Sequence, residues 1–103
     1  MRRGITSTII FTLPPEAAVA DLVDARISIG QNEKELFSHP LSDMIADSNG
    51  NTLSLDLTQE ETLLLNPKYS AELQLKVKFI GGAVLATPIY RTSVRKILNE
   101  EVI

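Results

Sequence analysis

His39 is the only imidazole in the chain, and Ser38, Ser42 and Asp43 beside it are the residue types a serine hydrolase needs. That chemistry requires a serine activated by the ring, an acid holding the ring's tautomer, and amide donors waiting for the oxyanion. The stretch has neither a strand-to-helix elbow for the nucleophile nor a helix whose amides would form the oxyanion hole, so no catalytic residue is expected here. Asp47, Asn49 and Asn51 repeat the spacing of the first ligands of a calcium loop, but the twelfth position is Thr58, with no bidentate carboxylate to close it. A hairpin turn without metal is the reading. Glu60 and Glu61 are neighbours on an expected helical turn and so point apart, and few aromatic residues are on hand to form a platform for a sugar. Gly81-Gly82 is too short to cradle phosphate and reads as a turn. With no cysteine there is no thiolate, disulfide or Cys-ligated zinc, and no cofactor is expected.

One cluster is left. Tyr90, Arg91, Arg95 and Lys96 are the only basic-aromatic group, and Arg2 and Arg3 add charge near the start of the chain. Such a group either clamps a strand of nucleic acid or forms a partner-facing surface. Net charge is −3 and no Lys/Arg run exceeds two residues, which disfavours nucleic acid. These six residues are therefore candidates for binding a protein partner.

The elements that must position them are strands. Ile5 to Leu13 alternates, with Ile5, Ser7, Ile9, Phe11 and Leu13 on one face and Thr6, Thr8, Ile10 and Thr12 on the other. The same period-two pattern returns over Val23–Ile29, Leu53–Leu57 and Leu73–Phe79. Pro14-Pro15 ends the first strand because neither residue can donate to a ladder. Glu16 to Leu22 is a loose connection or a single helical turn. Glu33–Phe37 reads as a polar edge strand, and Leu41–Ile45 as a further short one. Asp47 to Asn51 is a turn in which Asn49-Gly50 supplies the positive φ angles. Thr58 and Glu61 have capping-box spacing, predicting one helical turn that ends by Asn66-Pro67, with Leu63, Leu64 and Leu65 plugging one end of the core. Ala71–Phe79 is the clearest strand, turned at Gly81-Gly82. Pro88 splits the return strand, Ala83–Val94. Val94, Ile97 and Leu98 have helical spacing.

A chain of 103 residues, 44% hydrophobic and 22% charged, is sized for one globular domain, 1–103. Only 5% is aromatic, so the core must be aliphatic. The pattern suggests an all-β, antiparallel immunoglobulin-like sandwich of about seven strands with one short helical turn, lacking the disulfide and tryptophan of antibody domains, with a partly open barrel as the alternative. Neither a signal peptide nor a membrane span is expected. Charge is uneven: from Glu16 to Glu61 ten acidic residues face only Arg26 and Lys34, whereas from Lys68 to Lys96 six basic residues meet Glu72 alone. Either the two halves interleave in the fold, or the molecule has an acidic and a basic side suited to head-to-tail contacts.

The order of features carries a resemblance: Arg2-Arg3-Gly4, Thr8-Ile9-Ile10-Phe11-Thr12-Leu13-Pro14, the run from Gly50 to Leu63, Glu72 to Val77, Gly81-Gly82 and Arg91-Thr92-Ser93-Val94. The chain resembles small proteins encoded among the structural genes of tailed phages and prophages of Gram-positive gut bacteria. It is also similar in layout to the immunoglobulin-like N-terminal domain of phage baseplate upper proteins, without their following fibre segment. The resemblance implies a non-enzymatic virion protein, a tail, baseplate or head-surface subunit made in the host cytoplasm. Its partners would be copies of itself and other virion proteins. The alternative is a free-standing binding module that recognises a host protein or polysaccharide through its loops.

Overall fold

In the computed structural model, which describes residues 1–103, eight strands form two antiparallel sheets. They are β1 Ser7–Thr12, β2 Leu22–Gln31, β3 Lys34–Pro40, β4 Ile45–Asp47, β5 Thr52–Leu57, β6 Ala71–Phe79, β7 Val84–Ala86 and β8 Tyr90–Thr92. One sheet has the order β1-β5-β4; the other runs β3-β2-β6, with β7 and β8 both paired to β6. This is the strand order B-E-D against C′-C-F-G, the immunoglobulin-like arrangement. The count is eight because the last strand is broken in two.

Alternation explains which side chains are inside. Ile9 and Phe11 on β1 stand opposite Leu55 and Leu53 on β5, and Ile27 and Ile29 on β2 stand opposite Leu75 and Leu73 on β6. Ile9, Phe11, Leu13, Ala25, Ile27, Ile29, Leu53, Leu55, Leu57, Ala71, Leu75 and Val77 are all buried. Each Leu or Ile taken fully from water contributes about 1.5–3 kcal/mol before entropy is charged against it. No helix is long and apolar enough to cross a membrane.

The hairpin from β2 to β3 turns on Asn32 and Glu33, both at positive φ (53° and 64°), so β2 extends past Ile29 to Gln31. A bulge between Ile29 and Gly30 accompanies it. Gly30 is required there: a Cβ would lie 2.3 Å from the Lys34 carbonyl oxygen. A second bulge in β2 turns Val23 outward.

Four local expectations are corrected, and one contact was not expected at all. Leu41–Asp43 is a 3-10 turn, because the chain crosses there from one sheet to the other, and the strand begins only at Ile45. In the β4–β5 turn the positive φ belongs to Asn51 (54°), not to Asn49-Gly50. Of the three leucines at the end of α1 (Gln59–Leu63) and just past it, Leu65 is buried, Leu63 is partly covered and Leu64 is 60% exposed, since a single helical turn presents only one face. Residues after Val94 form no helix, and Leu98 lies in water. Met1–Arg3 runs parallel to Ser93–Arg95, with the Arg3 amide donating to the Arg95 carbonyl at 3.1 Å and the Arg95 amide to the Met1 carbonyl at 2.8 Å. Nothing in the alternation foretold that strap.

Acidic and basic segments interleave. β2 lies beside β6, bringing Asp24 opposite Lys78 and Arg26 opposite Lys76. Asp24 with Lys78 mixes the two signs on the outer face of the larger sheet, whereas Arg26 with Lys76 sets two cations side by side.

Candidate functional site

Phe37, Ser38 and His39 lie near the end of β3, and alternation puts Phe37 and His39 on the same side, with the two rings edge-on at 5.9 Å. The β3–β4 crossover brings Asp43 back over the ring: its Oδ2 lies 2.9 Å from His39 Nδ1. On the other side, Nε2 bonds the carboxylate of Glu61, which α1 delivers from the connection following β5. Glu61 is itself fixed by the capping box: the Thr58 amide donates to its Oε1 at 3.0 Å, and the Glu61 amide donates to Thr58 Oγ1 at 3.2 Å.

The bond to Asp43 raises the His39 pKa above its usual 6.5; burial opposes it and Glu61 assists. Burial pushes the Glu61 carboxyl up, but the Thr58 amide and His39 outweigh that and hold it below 4.5. The cation form of the ring is favoured between two carboxylates.

Chemically, this is a closed clamp. A hydrolytic triad needs a free Nε2 facing a hydroxyl, and Glu61 occupies it. Ser38 precedes His39 on the strand and projects from the opposite face, opposite Ser28 on β2. Glu60 is exposed and turned away from Glu61.

The Asp47, Asn49 and Asn51 oxygens do not converge. Asp47 Oδ1 accepts from the Asn49 amide at 3.0 Å. The Asn51 side chain turns into the end of the sandwich, donating to the carbonyls of Leu13, Pro14 and Ala17 and accepting from the Val19 amide at 2.8 Å. At the opposite end, buried Gln31 does the same, donating to the carbonyls of Asn66 and Tyr69 and accepting from the Asn66 amide. Two amide side chains organise the loops at the two ends.

The six candidate partner-binding residues fall into three groups. Arg3 is committed inside the molecule: Nε donates to the Leu65 carbonyl at 2.6 Å, Nη2 to the Leu63 carbonyl at 2.8 Å, and Nη1 to Glu100. Arg91 pairs with Glu72 at 3.3 Å, and Tyr90 tilts against Phe11 with ring centroids 6.0 Å apart. Arg2, Arg95 and Lys96 are exposed and make no ion pair. Arg2 and Arg95 are brought together by the N-terminal strap.

Next to this basic strip, Val84, Leu85 and Ile89 are exposed on the same edge of the sheet. Pro88 marked this edge in the sequence as a split strand; the exposure of the three apolar residues was not legible there. Neither a protein-family model nor a curated protein sequence matches the chain.

Proposed function

We infer that this protein is a non-enzymatic virion structural subunit of the tail, baseplate or head surface, working by protein–protein assembly. The observation that carries the reading is the edge formed by β7 and β8. There Val84, Leu85, Ile89 and Tyr90 are exposed, Val84 on the outer face opposite Lys78 and Leu85 on the inner face opposite Val77, and the edge leads into Arg91, Arg95 and Lys96. Apolar and aromatic groups surrounded by charge are the composition of a docking patch. The partner would present acid, as a neighbouring copy does with Asp47 and Glu60, both exposed. The resemblance to phage structural proteins supports the virion setting. The closed state of His39, whose ring is held by Asp43 and Glu61, supports a role without catalysis.

The test is binding of the purified chain to phage particles or isolated tail components. A double variant, Arg95→Glu with Lys96→Glu, should keep the β-rich circular dichroism spectrum and lose that binding. A wild-type chain that binds no virion component, but captures a host protein or a polysaccharide, would replace this reading with that of a free-standing recognition module.

A further inference from the structure

The two sheets have four edges, and three of them carry a device that stops a further strand from adding. β3 bears Lys34 and Glu35 and ends in Pro40; β4 is three residues long and ends in Asp47; the β7–β8 edge breaks at Thr87-Pro88 and continues into Arg91. β1 carries none of these. Ser7–Thr12 is six residues long, without charge or proline.

Its backbone is also unpaired on one side. The Leu13 amide donates to the Asn51 carbonyl at 2.9 Å, which places the odd-numbered residues of β1 in the hydrogen-bonded pairs with β5. The N–H and C=O groups of Thr8, Ile10 and Thr12 therefore face the open side, and no turn, loop or cap bond reaches them. An immunoglobulin-like sandwich runs its first strand there. Here Met1–Arg3 pairs with Ser93–Arg95 instead, and no strand of residues 1–103 lies beside β1 on that side.

We propose that β1 pairs antiparallel with β1 of a second copy of this chain, about a two-fold axis at Ile10, joining two three-stranded sheets into one of six. The edge is self-complementary in that register. Thr8 faces Thr12 of the second copy and Ile10 faces Ile10, each pair exchanging two backbone hydrogen bonds, and no charge meets a like charge. On the outer face Ile10 (65% exposed) lies in line with Ser54 and with Ile45 (67% exposed), so the two copies of Ile10 cover each other across the seam. Below the seam, Tyr90 against Phe11 already closes the core. The proposal deepens the assembly reading by naming one partner and its surface.

Light scattering from about 1 µM to about 1 mM, the span in which a weak edge pair forms, should show the mass rising to two chains. Exchange of the Ile10 and Thr12 amides should slow as concentration rises. Ile10→Lys sets two ammonium groups across the axis and should raise the dissociation constant at least about tenfold. Thr12→Lys, on the same edge, is the second variant. Ile45→Lys adds the same charge to the same face away from the axis and should leave the constant within about twofold. A monomer at every concentration overturns the proposal, as does an Ile45→Lys variant that dissociates as readily as Ile10→Lys. Protection of the Ile10 amide only on adding virion components would give the edge to another strand donor, overturning this proposal while leaving the assembly reading in place.

Discussion

The imidazole of His39 and the carboxylate of Glu61 are bonded across 22 residues of sequence, tying the edge strand of the larger sheet to the helix that follows the central strand of the smaller one. Asp43 holds the other ring nitrogen, so one side chain closes the flank along which the chain passes between sheets.

Removing the ring should cost stability rather than activity. His39→Ala is expected to lower the unfolding free energy by about 1–3 kcal/mol, because it leaves two carboxylates without their shared donor. A double-mutant cycle with Glu61→Gln should give a coupling of roughly 1 kcal/mol. Binding to virion components should be unchanged in the same variant, and a large loss there would return His39 to the functional residues.

The clamp has a pH window. His39, raised above 6.5, contributes fully below 6.5 and loses its contribution as pH rises through its folded value. Glu61, lowered below 4.5, contributes fully above 4.5 and loses its contribution as pH falls through its folded value. Both are complete between 4.5 and 6.5. The Tm should therefore fall from pH 6 toward alkaline pH, and His39→Gln should flatten that slope; an unchanged slope would contradict the assignment.

Asn51 combines a positive φ of 54° with four hydrogen bonds to the β1–β2 connection. Asn51→Ala removes the bonds and strains the backbone, and should destabilise by about 2–4 kcal/mol in urea unfolding. Asn51→Gly relieves the strain alone and should recover roughly 1 kcal/mol of that loss. Equal losses would mean the backbone angle carries no energy.

Arg3 is expected to act within the molecule. Arg3→Lys keeps the charge but cannot donate to the Leu63 and Leu65 carbonyls in the same fork, so amide exchange over Met1–Arg3 and Ser93–Arg95 should quicken nearly as much as in Arg3→Ala. Full retention of protection in the lysine variant would reduce the contact to simple charge.

Much of the fold was legible in the residues because a strand repeats every two positions, a period any half-buried sheet imposes on its own side chains. Ile9, Phe11 and Leu13, Leu53, Leu55 and Leu57, Ala71, Leu75 and Val77 are inside for that reason alone, and the Thr58–Glu61 capping box is as local as its spacing. An immunoglobulin-like sandwich was expected from the number of strands and turns, but which strands pair, B-E-D and C′-C-F-G, is decided by the assembled sheets. Where the chain changes sheets at Leu41–Asp43, the period gave no warning, because a crossover is shaped by the distance between layers.

Tertiary structure decided the rest, because each deciding contact joins residues far apart in sequence. Asn51 reads as a turn residue until Leu13, Pro14, Ala17 and Val19 surround it. Arg3 reads as free charge until the carbonyls after α1 meet it. The open edge at Thr8, Ile10 and Thr12 is visible only once β1 is paired with β5 and Met1–Arg3 with Ser93–Arg95. A sequence states what each strand offers on its two faces; only the assembled sheets determine which edges are left without a neighbour, since backbone hydrogen bonds carry no side-chain pattern.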